Sequence, residues 1–180
     1  MLFNSRRERR LWLSAAVLIV IIDSTLYLAR GIAEYLRDRN LLRLTVFTLV
    51  GLGGLAVAIW ARGQDAGPRG WAVLALGGVA FGVAMSRVSP VEVKFHFVEY
   101  GLLGALFYAA LAERGVRWPA LCAVLLTGLA GWLDEGIQYL LPNRWYDLQD
   151  VAINAVAGAL AIATLVLLER VRQSSGEAEA

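Results

Sequence analysis

Residues 118–168 read WPALCAVLLTGLAGWLDEGIQYLLPNRWYDLQDVAINAVAGALAIATLVLL. Two apolar runs, Trp118–Leu141 and Val151–Leu168, flank a short polar connection. Each is close to the about 20 residues that a helix needs to cross a bilayer. Pro119 falls in the first turn of the first run, where a missing N–H does no harm, and Pro142 follows its end. Asp134, Glu135 and Gln138 sit near the end of the first run. Arg144 and Asp147 lie in the connection, and Asp150 and Asn154 in the opening turns of the second. An ionisable side chain at membrane depth costs about 2.5–3.5 kcal/mol on insertion scales. A chain that carries so many at helix ends is expected to use them.

Working outward, the same grammar recurs. Phe95–Ala112 is a further apolar run, opened by His96, Glu99 and Tyr100. Upstream lie Leu11–Ala29, interrupted by Asp23; Leu41–Ala61, with Gly51, Gly53 and Gly54 in its middle; and Gly70–Met85, with Gly78 and Gly82. Pro68 reads as part of a polar loop. The expected fold is therefore all-α: a polytopic bundle of about six transmembrane helices, one membrane domain over 1–180, with a small polar tail at 173–180 expected to be disordered. The first run lacks a small-residue cleavage site and is long enough to span, so it reads as a retained helix rather than a signal peptide.

Composition agrees. The chain is 58% hydrophobic, its mean hydropathy is +0.59, and its net charge of +2 is too small and dispersed to suggest nucleic acid. Cys122, the single cysteine, allows no intrachain disulfide and reads as a small buried hydrophobe. One histidine excludes paired-His haem ligation and the HExxH metalloproteases. Trp60, Trp71, Trp118, Trp145 and Tyr146 mark segment ends, as interfacial aromatics do. With the N-terminus inside, the inner loops carry Arg6, Arg7, Arg9, Arg10, Arg62, Arg69, Arg114, Arg117, Arg170 and Arg172, ten in all. The outer side holds the other seven of the 17 basic residues, so the bias favours N-in and C-in. The contrary stretch, Arg30–Arg43, also holds Ile32, Tyr35, Leu36 and Leu42 and reads as an amphipathic helix on the membrane surface.

Topology then brings the polar groups to one membrane face. The fourth segment leaves that face and the fifth returns to it. His96, Glu99 and Tyr100 stand at i, i+3, i+4; Asp134 and Gln138 at i, i+4; Asp147, Asp150 and Asn154 at i, i+3, i+7. Three such stripes are best satisfied around one wet cavity. The sharper reading of Asp134, Glu135, Asp147 and Asp150 is a divalent-cation or acid–base site, with Arg144 clamping an anion and His96 or Glu99 moving a proton. The plainer one is an interhelical network in which Arg144 neutralises the acids. Asp23 either joins this cavity or sits near a separate water-filled gap. No P-loop, GxSxG elbow or second histidine points to a known chemistry.

The residues also resemble a family. HFVEYGLLGALFYAAL (96–111), then LDEGIQYLLPNRWYDLQDVAIN (133–154) followed by small residues through Ala161, is similar to the VanZ-like pattern. That pattern has His-Phe with Tyr four residues after the His, an Asp-Glu pair before Gln, Pro-x-Arg, and Asp-x-x-x-Asn. His96, Tyr100, Asp134, Glu135, Gln138, Pro142, Arg144, Asp150 and Asn154 fall on it, with Asn143 where the family often has Gly. The likeness covers about 86–168; the first three segments carry none of its motifs. It implies a bacterial cytoplasmic membrane and a link with the cell envelope, the founding member being associated with low-level teicoplanin resistance; no cofactor carries over. On this reading His96, Glu99, Asp134 and Glu135 would supply acid–base or catalytic groups. Tyr100, Gln138, Arg144, Asp147, Asp150 and Asn154 would contact a lipid-linked or cell-wall-related molecule. The competing expectation is a non-catalytic scaffold or accessory subunit whose polar residues only specify helix packing.

Overall fold

A computed structural model of the chain describes residues 3–63, 66–89, 91–141 and 145–179. Among them all regular structure is helical: α1 (Arg6–Asp38), α2 (Leu42–Arg62), α3 (Gly67–Ser86), a single 3-10 turn (Val91–Val93), α4 (Lys94–Glu113), α5 (Pro119–Tyr139) and α6 (Leu148–Glu179). Five of the six long helices, α2 to α6, are long and apolar enough to cross a membrane by length and composition. With α1 they make the all-α bundle that the apolar runs predict.

Local chemistry sets the helix ends. Ser5, extended at φ −143°, accepts the Glu8 N–H at 2.9 Å, and the Glu8 carboxylate accepts from the Asn4 N–H at 2.6 Å, a close variant of the capping box. Pro68 lies in the first turn of α3, which begins earlier than the apolar run suggests. Lys94 donates its ammonium to the carbonyls of Met85 and, at 2.7 Å, Val88, so a cation closes the C-terminal end of α3.

Two expectations are corrected. No separate surface helix covers Arg30–Arg43: α1 is one helix of 33 residues, broken only after Asp38. Asn40 takes the left-handed backbone at φ 57°, which a short amide side chain tolerates, and α2 starts two residues on. At 1.5 Å per residue α1 is about 50 Å long, roughly 20 Å more than a bilayer's hydrocarbon core. Its charged last turns thus continue beyond the apolar layer as an extension of the span. At the other end of the chain α6 runs through Glu179, so the stretch whose composition suggests a disordered tail is helical; Gln, Glu and Ala are good helix formers.

α4 is the hub. Half of its span, 50%, is buried inside the protein, against 11% for α2 and α3. α1, α5 and α6 pack on it, α3 lies against α6, and α2 sits at the margin. The outer faces of α2 and α3 present Leu44, Phe47, Ile59, Leu76 and Val79 to lipid. Lipid gives helices no hydrophobic reason to associate, so small residues that admit close approach decide the crossings. A Cβ on Gly104 would lie 2.9 Å from the Gly158 Cα, and one on Gly158 would lie 2.5 Å from a Thr127 methyl. The crossing of α4, α5 and α6 is therefore nearly backbone on backbone.

One end of the bundle is tied by charge. Arg114 Nε lies 3.4 Å from the fully buried Glu8, Arg7 pairs with Glu113 at 3.5 Å, and Ser5 donates to Glu113 at 2.8 Å. Tyr108 donates to Glu169 at 2.5 Å, which brings the C-terminal half of α6 to this end. The start of α4, the end of α5 and the start of α6 consequently share the opposite end.

Candidate functional site

Helix geometry fixes the depth of the polar groups. Glu8 and Arg114 set a common origin on the antiparallel α1 and α4. Asp23 is fifteen residues beyond Glu8 and Tyr100 fourteen before Arg114, so at 1.5 Å per residue both stand about 21–23 Å from that origin. Asp134 meets them from α5: Tyr100 donates its hydroxyl to Asp134 Oδ2 at 2.9 Å, with both residues 1% exposed. Asp23, Tyr100 and Asp134 line one cavity of about 200 Å³, whose other walls are apolar. Asp23 thus shares a cavity with Tyr100 and Asp134, two of the expected site residues, with no described α6 residue among its walls.

Asp134 and Glu135 are neighbours in sequence and so diverge by about 100° around α5. Glu135 turns to the start of α6, where its Oε2 accepts the Asp147 N–H at 2.9 Å. It also lies within electrostatic reach of Asp150, Asp134 and His96. Gln138 and Asn154 are buried beside this connection, and Asn154 rests on α5 where a Cβ on Gly131 would be only 2.7 Å away. On α4, His96 Nδ1 is 4.0 Å from Glu99 Oε2, and its ring lies 6.0 Å from that of Tyr100. The α4, α5 and α6 stripes therefore gather on two walls of α5, Tyr100–Asp134 on one and Glu135–Asp147 on the other. Pro142, Asn143 and Arg144 lie outside the described residues.

Several buried atoms in this region find no hydrogen-bonding partner within the protein. They are His96 Nδ1, Asp134 Oδ1, Glu135 Oε1, Gln138 Nε2 and both amide atoms of Asn154. Buried polar groups are normally paired, so a concentration of this kind marks a place built for something other than packing alone.

A family model matches the chain from residue 14 to residue 169. The chain belongs to the VanZ/LLP1 family. No curated protein and no solved structure matches it. In this VanZ/LLP1 chain the match begins in α1, so it takes in the first three helices, to which the motif pattern alone gave no counterpart.

The geometry also shows how the carboxylates at this end are engaged. Among the described residues no group of three or more His, Cys, Asp or Glu side chains comes together to hold a metal ion. Asp134 and Glu135 face different neighbours, Tyr100 and the Asp147 N–H, and Asp147 makes its own bonds at the start of α6. Asp147 is exposed, and its Oδ1 accepts the Gln149 N–H at 2.8 Å while its carbonyl accepts from Asp150 at 3.1 Å. That is an N-cap of α6. Asp147→Ala is expected to cost about 1 kcal/mol, read as a lower thermal midpoint, while Asp147→Asn, an equally good cap, holds the midpoint unchanged. A loss with Asn as large as that with Ala would return the carboxylate charge to the site.

Sequence reasoning missed Glu8, which reaches Arg114 across the bundle, and Lys94, which reaches the carbonyls of Met85 and Val88 at the end of α3. The Ser5-x-x-Glu8 spacing before an apolar run was the available signal for the first.

Proposed function

We propose that this VanZ/LLP1 membrane protein binds a lipid-linked or cell-wall-related molecule in the polar core at the α5–α6 end of the bundle, and through it lowers susceptibility to teicoplanin. The observation that carries the reading is the set of buried polar atoms from α4, α5 and α6 without protein partners. Tyr100, Gln138 and Asn154 offer hydrogen bonds to a ligand there, and Glu135 with Asp150 offers negative charge. Arg144, in the connection that joins α5 to α6, serves as the anion contact. His96 and Glu99, at the mouth of α4, act as an acid–base pair or gate. The membrane is the bacterial cytoplasmic one, with both termini inside on the arginine balance, so the core opens to the envelope side.

A scaffold reading draws on a different observation. Asn154 packs directly on Gly131, and Glu135 accepts a backbone N–H, contacts that serve helix packing. The two readings part on a phenotype. Expressed in a teicoplanin-susceptible host, Asp134→Asn and Arg144→Gln are each expected to abolish protection while the amount of protein in the membrane stays unchanged. Disappearance of both variants from the membrane, or full protection by both, overturns the binding site.

A further inference from the structure

The cavity between α1, α4 and α5 has a composition that narrows its ligand. Its walls are Ile19, Ile22, Leu103, Leu133 and Ile137 with Ala130, and its polar end is Asp23, Tyr100 and Asp134. Among the described residues lining it there is no arginine, lysine or histidine. Two carboxylates facing one apolar space attract a positive charge strongly, because little solvent screens them. Asp134 lines this cavity; its Oδ1 is buried with no hydrogen-bonding partner in the protein, while Oδ2 is held by Tyr100. Mg²⁺ or Ca²⁺ takes six or more oxygens, and beyond Asp23, Tyr100 and Asp134 the described apolar walls offer no further side-chain oxygen to complete such a shell. A primary ammonium fits better: its three N–H donors match Asp23, the free Asp134 oxygen and the Tyr100 oxygen.

The rest of the cavity suits a chain. Leu133 and Ile137 are 52% and 40% exposed on a membrane-spanning helix, so the rim opens to lipid rather than to water. At about 200 Å³ the space admits an amine head and the first carbons of a tail, with the remainder leaving between Leu133 and Ile137 into the bilayer.

We propose that this groove binds the primary-ammonium end of a lipid-like amphiphile, the cation held by Asp23 and Asp134 and the chain lying along Ile22, Leu133 and Ile137. This rests on reading the buried polar core as a ligand site, and it assigns the α1-facing wall of α5 to the cationic part of that ligand.

Labelled dodecylamine tests it, with dodecanol as the neutral counterpart, by equilibrium binding to the full chain in dodecyl maltoside micelles. Saturable binding of about one dodecylamine per chain is expected, with dodecanol at least tenfold weaker. Asp23→Asn is expected to weaken dodecylamine at least tenfold; it removes a charge from α1 without touching the Tyr100–Asp134 bond, so the fold survives. Glu169→Gln, at the other end of the bundle, keeps the affinity within twofold, whereas Glu135→Gln abolishes teicoplanin protection. Equal binding of amine and alcohol, or unaltered amine binding by Asp23→Asn, overturns the proposal. Retained amine binding with no effect of Glu135→Gln on protection overturns the envelope function instead.

Discussion

Replacing Gly104 by leucine is expected to leave almost no folded protein in the membrane. The argument is one of contact between backbones. A Cβ at this position would stand 2.9 Å from the Gly158 Cα and 3.1 Å from the Gly158 oxygen, and neither atom can swing aside as a side chain can. Even alanine forces α4 and α6 apart, at the roughly 1–3 kcal/mol typical of overpacking, and it disturbs Thr127 on the far side of Gly158. Leucine exceeds what the crossing can absorb. Gly128 and Gly136, which have nothing within 4 Å of the added atom, provide the comparison: alanine there is expected to be neutral. Immunodetection of membrane fractions and thermal unfolding of the extracted protein read all four variants. Gly104→Leu protein at wild-type level with a wild-type midpoint would show that the crossing is not as close as the geometry states.

The second large effect belongs to Arg114. Glu8 is fully buried, and its Oε1 faces Arg114 Nε at 3.4 Å. Arg114→Met leaves the carboxylate buried without its cation. Removing one partner of a fully buried pair costs about 3–5 kcal/mol. The Arg114 side chain is 42% exposed, so solvent screens part of the interaction, and about 2–3 kcal/mol is the better expectation. Adding Glu8→Gln to Arg114→Met is expected to restore much of the loss, since a neutral amide needs no counter-charge. Failure of the double variant to recover would place the role of Arg114 in its other contacts rather than in Glu8.

These sites show what could and could not be read from the chain. Apolar runs gave six long helices, because bilayer thickness imposes a length on each, and α4 ends within one residue of its expected bounds at both ends. The polar stripes of α4, α5 and α6 were equally legible, since topology alone sends them to one end. The partition of Asp134 and Glu135 between two walls was not. Adjacent residues always diverge on a helix, but which of them meets α4 depends on crossings set by Gly104, Gly131 and Gly158, and small residues leave no periodic signal of their partners. The capping bond of Asp147 was hidden for a different reason: a carboxylate just before a helix reads equally as a ligand or as a cap, and its bond to the Gln149 N–H appears only in the folded chain. The continuity of α1 past Arg30 was hidden by its change from apolar to charged composition, which alters the surroundings of a helix without ending it. Asp23 needed a second helix to be counted against; its depth follows once Glu8 is matched to Arg114.

That match has a consequence in time. Glu8 and Trp12 lie at the beginning of the chain, yet they complete their contacts with Arg114 and Phe107, about a hundred residues later in synthesis. While the ribosome is still making α2 and α3, the first helix has no partner for its acid and no surface for its indole. α1 must wait beside the translocation machinery, or at the interface where Glu8 stays wet, until α4 arrives. α1 is made well before α4, yet it reaches its place only once α4 has arrived.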